Sequence, residues 1–363
     1  HLLIGEVWLC AGQSNMVMPL NGFDYCPISD SNNVIADAPN HPGIRMVTIK
    51  PTVKLSPQEY AEGSWQQPTT ENAPKFSAAA YHYALTLQRT LQIPIGVITC
   101  AWGGSRVEGW LPKEILQTYK DEDLTLIGSD KTPVYLQSML MYNGILYPCH
   151  KYTIKGFIWY QGESNVRSSR TYAERLATMV KHWRSIWKQG DLPFYYVQLS
   201  SIDRPSWTWF RDSQRRLAQT VSNTGMAVSS DRGDSLNVHP TRKKEIGERL
   251  AHWALNKTYG HNVIPSGPLF RSATFTDNAA YITFDYAKGL TTSDGDPIRT
   301  FEIAEQEGLY YPAQAVVENG KVKVWNDQVT HPKLVRYGWQ PFTRANLINE
   351  AGMPASTFRA IKE

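Results

Sequence analysis

Apolar positions along the chain gather into short unbroken runs, separated by longer stretches with helical spacing. The runs are "EVWLCAG" from Glu6, "IPIGVITCAW" from Ile93, "IKGFIWYQ" from Ile154, "LPFYYVQLS" from Leu192 and "GMAVSS" from Gly225. They are rich in β-branched and aromatic residues, and their continuity predicts strands buried on both faces. Between them, "FSAAAYHYALTLQRTLQ" from Phe76 is a helical stretch without breakers. From Tyr172, apolar side chains recur at Leu176, Met179, Val180, Trp183, Ile186 and Trp187, which is one face of a helix. Two further helices are predicted at "RDSQRRLAQTVSN" from Arg211 and "TRKKEIGERLAHWALN" from Thr241. Strands alternating with helices imply an α/β fold whose parallel sheet is covered on both faces.

The pattern changes after about Ile264. "AAYITFDYAKGL", "DPIRTFEIAE", "LYYPAQAVVENGKVKVWNDQV" and "KLVRYGWQPF" are short strands broken by Gly, Asn and Asp, with "ENGKV" as a hairpin turn. A β-rich region is therefore expected from about Val263 to the end.

At 363 residues the chain is long enough for one large domain and a smaller one. No apolar run approaches the roughly 20 residues of a membrane helix, so no membrane span is expected. The net charge of +4, spread without a Lys/Arg block, gives no support for a nucleic-acid partner. The 12 Trp and 19 Tyr offer flat apolar faces with polar tips, which suit sugar rings as well as ordinary cores. Cys10 and Cys100 lie in apolar runs as buried thiols. Cys26 and Cys149, in loop-like sequence flanked by proline, are candidates for a bridge in an oxidising compartment. There is no CxxC, HExxH or carboxylate-rich calcium loop, so no metal or organic cofactor is expected.

The chemistry lies in the segments at the strand ends. "GQSN" comes after the first strand, "WGGSRVEGW" after the second, "QGESN" after the third and "DRGDSLNVHP" after the last. In open α/β sheets, ligands bind beyond the carboxyl ends of the strands, so these four polar segments converge on one crevice. A serine at a strand end is ordinarily a turn former. The convergence makes Ser14 a candidate nucleophile instead. A serine hydroxyl needs a base to take its proton. His239, in the loop after the last strand, is that candidate, because His82, His182 and His252 lie on helical patterns.

The blocks "GEVWLCAGQSNM", "WGGSRVEGW", "WYQGESN" and "NVHP" followed by a basic helix resemble those of sialate O-acetylesterases, in the SGNH (GDSL-like) hydrolase group. The ending "VRYGWQPFTRANLINEAGMPASTFR" is also similar to that family, so the likeness spans essentially the whole chain. The resemblance implies a flavodoxin-like three-layer sandwich with a central parallel sheet of about five strands. It implies an SGNH catalytic domain over 1–262 and a β-rich region over 263–363 packed on it. It further implies a serine esterase acting on O-acetylated sugar or glycan, first of all 9-O-acetylated sialic acid. Acetylated plant polysaccharide (xylan or xyloglucan), or glycan binding by a decayed site, are the alternatives. A secreted, periplasmic or lysosomal-type compartment is expected. Family members usually carry a β-rich portion ahead of "GEVW". The opening "HLLIGEVW" has neither methionine nor signal peptide, so an upstream portion is expected to be missing or removed.

The likeness assigns roles residue by residue, and departs from the family at one point. Ser14 matches the block-one serine and His239 the base. The usual aspartate three residues before the histidine is replaced by Leu236. Asp234 is the favoured third member, with a Ser-His dyad oriented by Asn237 as the rival; Asp231 is a further carboxylate on the loop. For the oxyanion hole, the Ser14 N–H is joined by a glycine of block two, Gly104 ahead of Gly103, and by a side-chain amide of block three, Gln161 or Asn165. Glu163 is expected to hold its loop. Arg106 is a candidate partner for a substrate carboxylate, evenly weighed against an ion pair with Glu108 or another acid. Trp102 and Trp110 are candidate sugar platforms, with core packing the favoured role for each.

Overall fold

The computed structural model describes residues 2–362. The strands of the central sheet are β1 (Glu6–Gly12), β2 (Ile44–Thr48), β3 (Ile95–Ala101), β4 (Gly156–Tyr160), β5 (Phe194–Gln198) and β6 (Thr224–Val228). Their order is β2-β3-β1-β4-β5-β6, in parallel register. Five of them are the expected runs. The sixth, β2, was not expected: "IRMVT" is short and carries an arginine, as befits an edge strand. Without β2 the order is that of flavodoxin-like sheets. β1 lies at the centre, and the chain departs from it first towards β3 and later towards β4. The crevice of the fold therefore opens at its carboxyl end.

The helices are α1 (Ser14–Val17), α2 (Ser31–Asp37), α3 (Ala78–Leu91), α4 (Lys113–Leu116), α5 (Ser169–Trp187), α6 (Trp207–Thr220) and α7 (Lys243–Trp253). α3 begins where Ser77 accepts the Ala80 N–H at 3.3 Å, an N-cap that satisfies a donor with no partner inside the helix. α5 buries the predicted stripe, Tyr172, Leu176, Met179, Val180, Trp183 and Trp187. Among the described residues no helix is long and apolar enough to cross a membrane.

The chain forms two compact units. The first holds the residues up to Val197, Leu217–Gly225 and His239–Ala251; the second holds Gln198–Arg216, Met226–Val238 and the chain from His252 onward. This differs from a single boundary at 262/263. The fully buried Arg211 in α6 supplies a reason: its guanidinium donates to the carbonyls of Gly338, Gln340 and Pro341 at 2.7–2.9 Å, which draws the first part of α6 into the second unit.

The β-rich region adds ten strands: β7 (Leu269–Phe275), β8 (Ala280–Asp285), β9 (Thr291–Thr292), β10 (Phe301–Ala304), β11 (Tyr311–Pro312), β12 (Gln314–Glu318), β13 (Lys321–Trp325), β14 (Leu334–Tyr337), β15 (Leu347–Ile348) and β16 (Phe358–Ile361). They form two four-stranded sheets, β11-β10-β14-β16 and β12-β13-β8-β7, and one small pair, around a core that includes Ile282, Phe301, Tyr337 and Phe358. The predicted hairpin joins β12 to β13, with Asn319 and Gly320 both at positive φ, as a type I′ turn requires.

Candidate active site

β1 ends at Gly12, whose φ of +146° suits glycine and whose Cβ, if present, would lie 2.1 Å from the Tyr160 carbonyl oxygen. Only glycine lets β1 and β4 close up at this point. The chain then turns through Gln13 into the short helix α1, with Ser14 as its first residue. The Ser14 Oγ lies 2.9 Å from His239 Nε2, so the candidate nucleophile and base, 225 positions apart, are within hydrogen-bond reach. His239 is buried, and its ring meets Phe23 edge-on with centroids 5.2 Å apart. On its other nitrogen, Nδ1 lies 3.3 Å from the Tyr25 hydroxyl.

The block-two turn reaches Ser14 through Trp102, whose N–H donates to the Gly12 carbonyl at 3.0 Å. A Cβ on Gly103 would stand 3.7 Å from the Ser14 Cβ, so this backbone passes beside the nucleophile. Gly104, at φ +76°, leaves room for the Tyr135 ring, and its carbonyl accepts the Ser164 hydroxyl at 2.7 Å. Trp102 is half-buried. Trp110 is wholly buried against Trp159, with its indole N–H on Ser105, and is a core residue.

Three of the candidate residues are engaged in bonds within the protein. Gln161 is fully buried; its amide donates to the Ser105 carbonyl at 3.0 Å and to Asn165 Oδ1 at 2.8 Å, while its oxygen accepts from Tyr172. Both donors are thus engaged within the protein, where the amide braces the scaffold. Asn165 is likewise consumed: its oxygen takes the Val107 N–H at 2.9 Å and its amide faces the Glu108 carboxylate at 3.0 Å. Arg106 is held by Glu122 at 2.6 Å, the Leu136 carbonyl and Ser138, which is the ion-pair reading rather than the substrate-carboxylate one. Glu108, completely buried, is gripped by Arg175 at 2.5 Å. These contacts lace the block-two and block-three loops together behind the crevice.

Asp234 Oδ1 accepts the backbone N–H groups of Leu236 and Asn237, each at 2.8 Å, and these bonds hold its carboxyl below the usual range. Its carboxylate thus closes the turn that leads to His239. The candidate bridge between Cys26 and Cys149 does not form. The Cys26 thiol lies 3.4 Å from the His239 carbonyl, whereas Cys149 lies 3.8 Å from Cys100, and no disulfide joins any of the four cysteines among the described residues.

A model of the carbohydrate esterase family of sialic acid-specific acetylesterases matches residues 4–256. The chain belongs to that family. A carbohydrate acetylesterase from Xanthomonas citri, known from a crystal structure, is 33% identical with a TM-score of 0.87, over 98% of this chain and 80% of its own. The sialate O-acetylesterases of Homo sapiens and Pongo abelii are each 27% identical over 334 residues, 84% of this chain. The chain spans 63% of the length of those two relatives.

Four polar residues of this family member organise the site, although the sequence does not mark them as a group. Gln13 accepts the Gly162 and Ser164 N–H groups at 3.1 and 3.3 Å, pinning the block-three loop to the nucleophile turn. Asn15 bonds the Glu163 carboxylate on one side and accepts from Lys243 Nζ at 2.6 Å on the other. Burial pushes the Lys243 ammonium down to about 7, opposed by the nearby Glu163, and burial raises the Glu163 carboxyl. A signal for Lys243 was present: it shares the i, i+3, i+7 stripe of α7 with Ile246 and Leu250, both fully buried.

Proposed function

We propose that the protein removes O-acetyl groups from carbohydrate through an acetyl-enzyme on Ser14. The 2.9 Å contact between Ser14 Oγ and His239 Nε2 carries this reading, because it joins a nucleophile to a base at the mouth of the crevice. Ser14 Oγ attacks the acetyl carbonyl carbon as His239 Nε2 takes its proton. The tetrahedral oxyanion is met by the Ser14 N–H and by backbone N–H groups of the Gly103–Gly104 turn. As the intermediate collapses, His239 returns the proton to the departing sugar oxygen. A water molecule, deprotonated by His239, then attacks the acetyl-enzyme; acetate leaves and Ser14 regains its proton. The base is oriented by the Tyr25 hydroxyl at Nδ1 and by the loop that Asp234 closes through Asn237.

Beside the dyad is a cleft of about 530 Å³, lined by Val17, Phe23, Tyr25, Lys75, Thr99 and Ala101 among others. A sugar occupies this cleft with its acetylated oxygen toward Ser14. Lys75 is the cation in its lining, and in place of Arg106 it pairs with the carboxylate of a sialic acid. This pairing favours 9-O-acetylated sialic acid as the substrate. Acetate release should be faster from a 9-O-acetylated sialoside than from acetyl-xylan, and Lys75→Ala should raise KM for the sialoside alone. Faster release from acetyl-xylan, indifferent to Lys75, would transfer the assignment to neutral polysaccharide. No release from either, in a protein that still binds glycans, would favour a lectin-like role.

A further inference from the structure

Lys243 is fully buried, an unusual position for lysine unless its charge is matched. Among the described residues its ammonium bonds no carboxylate directly. It donates to Asn15 Oδ1 at 2.6 Å and to the Pro240 carbonyl at 2.8 Å, and lies 5.3 Å from the centre of the Tyr160 ring. Glu163 is reached only through the Asn15 amide. Stability does not account for this choice, since apolar residues of similar volume often replace buried charges without loss. What an aliphatic side chain lacks is the pair of bonds. Asn15 immediately follows Ser14, and Pro240 immediately follows His239. One ammonium therefore grips the residue next to the nucleophile and the residue next to the base, while Asn15 extends the grip to the loop after β4.

We infer that Lys243, acting through Asn15 and the Pro240 carbonyl, is the positioning residue that holds Ser14 and His239 in register. This rests on the esterase reading only for its effect on rate; the clamp itself is a property of the fold. The groups facing the ammonium are Asn15 from the nucleophile turn, Tyr160 and Glu163 from the end of β4 and its loop, the Cys26 thiol, and the Pro240 carbonyl next to His239. Removing the positive charge favours the protonated imidazole, so the clamp also bears on the titration of His239.

The test compares wild-type protein with Lys243→Met and Asn15→Ala in two measurements. With p-nitrophenyl acetate, each variant should lose about tenfold or more in kcat with KM within about twofold, and the double variant should be no worse than the poorer single one. In an NMR titration of the His239 imidazole, assigned with His239→Asn, Lys243→Met should move the midpoint upward. A packing role alone would lower the melting temperature and leave that midpoint in place. Wild-type turnover that depends on Ser14, with kcat retained in Lys243→Met and an unmoved midpoint, would overturn the inference and leave the esterase reading standing. Absence of wild-type turnover would instead count against the esterase reading, and the midpoint alone would then decide the clamp. If Lys243→Met does not fold, retention of kcat in Asn15→Ala overturns the inference and its loss supports it.

Discussion

Ser14 and His239 are ordinary side chains made distinctive by their neighbours, and the most costly neighbour is Lys243. Its ammonium gives up its proton at about pH 7 in the folded protein, well below the ordinary lysine value, because burial penalises the charge. The folded state therefore binds fewer protons than the unfolded chain from about pH 7 up to the ordinary lysine pKa, roughly 10.4. By linkage, stability contributed at this site rises with pH across that window, and below it the cost of burial is felt in full. Urea midpoints measured near pH 7 and pH 9.5 should differ more in the wild type than in Lys243→Met. An equal difference in both would contradict the assignment. Among single residues, the meeting of Ser14 with His239 was readable from their positions after the first and last strands. The bracing bonds of Gln161, Asn165 and Arg106 were not readable, because an amide or guanidinium next to a crevice serves equally well as a ligand group or as internal bracing. Only the partners of each donor distinguish the two uses.

The strands supply the frame and the loops after them supply the site, so the bonds between loops set its precision. Gln13 ties the first loop to the third, Asn165 ties the third to the second, and the Glu108–Arg175 pair anchors the second to α5. Both members of that pair are buried, Glu108 at 0% and Arg175 at 4% exposure, so removing Glu108 leaves Arg175 with the largely exposed Asp121 and the more distant Glu122. Glu108→Ala should cost about 3–5 kcal/mol in urea unfolding, the range for breaking a buried ion pair. A cost under about 1 kcal/mol would mean that the pair behaves like an exposed one. Five of the six strands and the stripe of α5 were readable from continuity and spacing of apolar residues. β2 was not, because an edge strand buries only part of its surface and its sequence carries a weaker apolar signal. The loop bracing was unreadable in principle, since each bond joins residues far apart in the chain.

Across the whole molecule, the division into two units follows contacts rather than the shift in composition near residue 263. The expected boundary reflected a real change from long buried strands to short alternating ones. It missed that α6 sends a buried arginine to three carbonyls of the C-terminal region, a long-range commitment that composition does not record. Family membership, covering residues 4–256, lies mainly on the sheet that carries Ser14 and on the loop that carries His239. The proposed chemistry requires one activated serine at this sheet edge. It is tested most directly by treating the protein with diethyl p-nitrophenyl phosphate and locating the adduct by peptide mass spectrometry. One phosphoryl adduct is expected on the peptide containing Ser14, with loss of ester hydrolysis, and neither adduct nor hydrolysis in Ser14→Ala. An adduct on another residue, or hydrolysis that survives in Ser14→Ala, would contradict it.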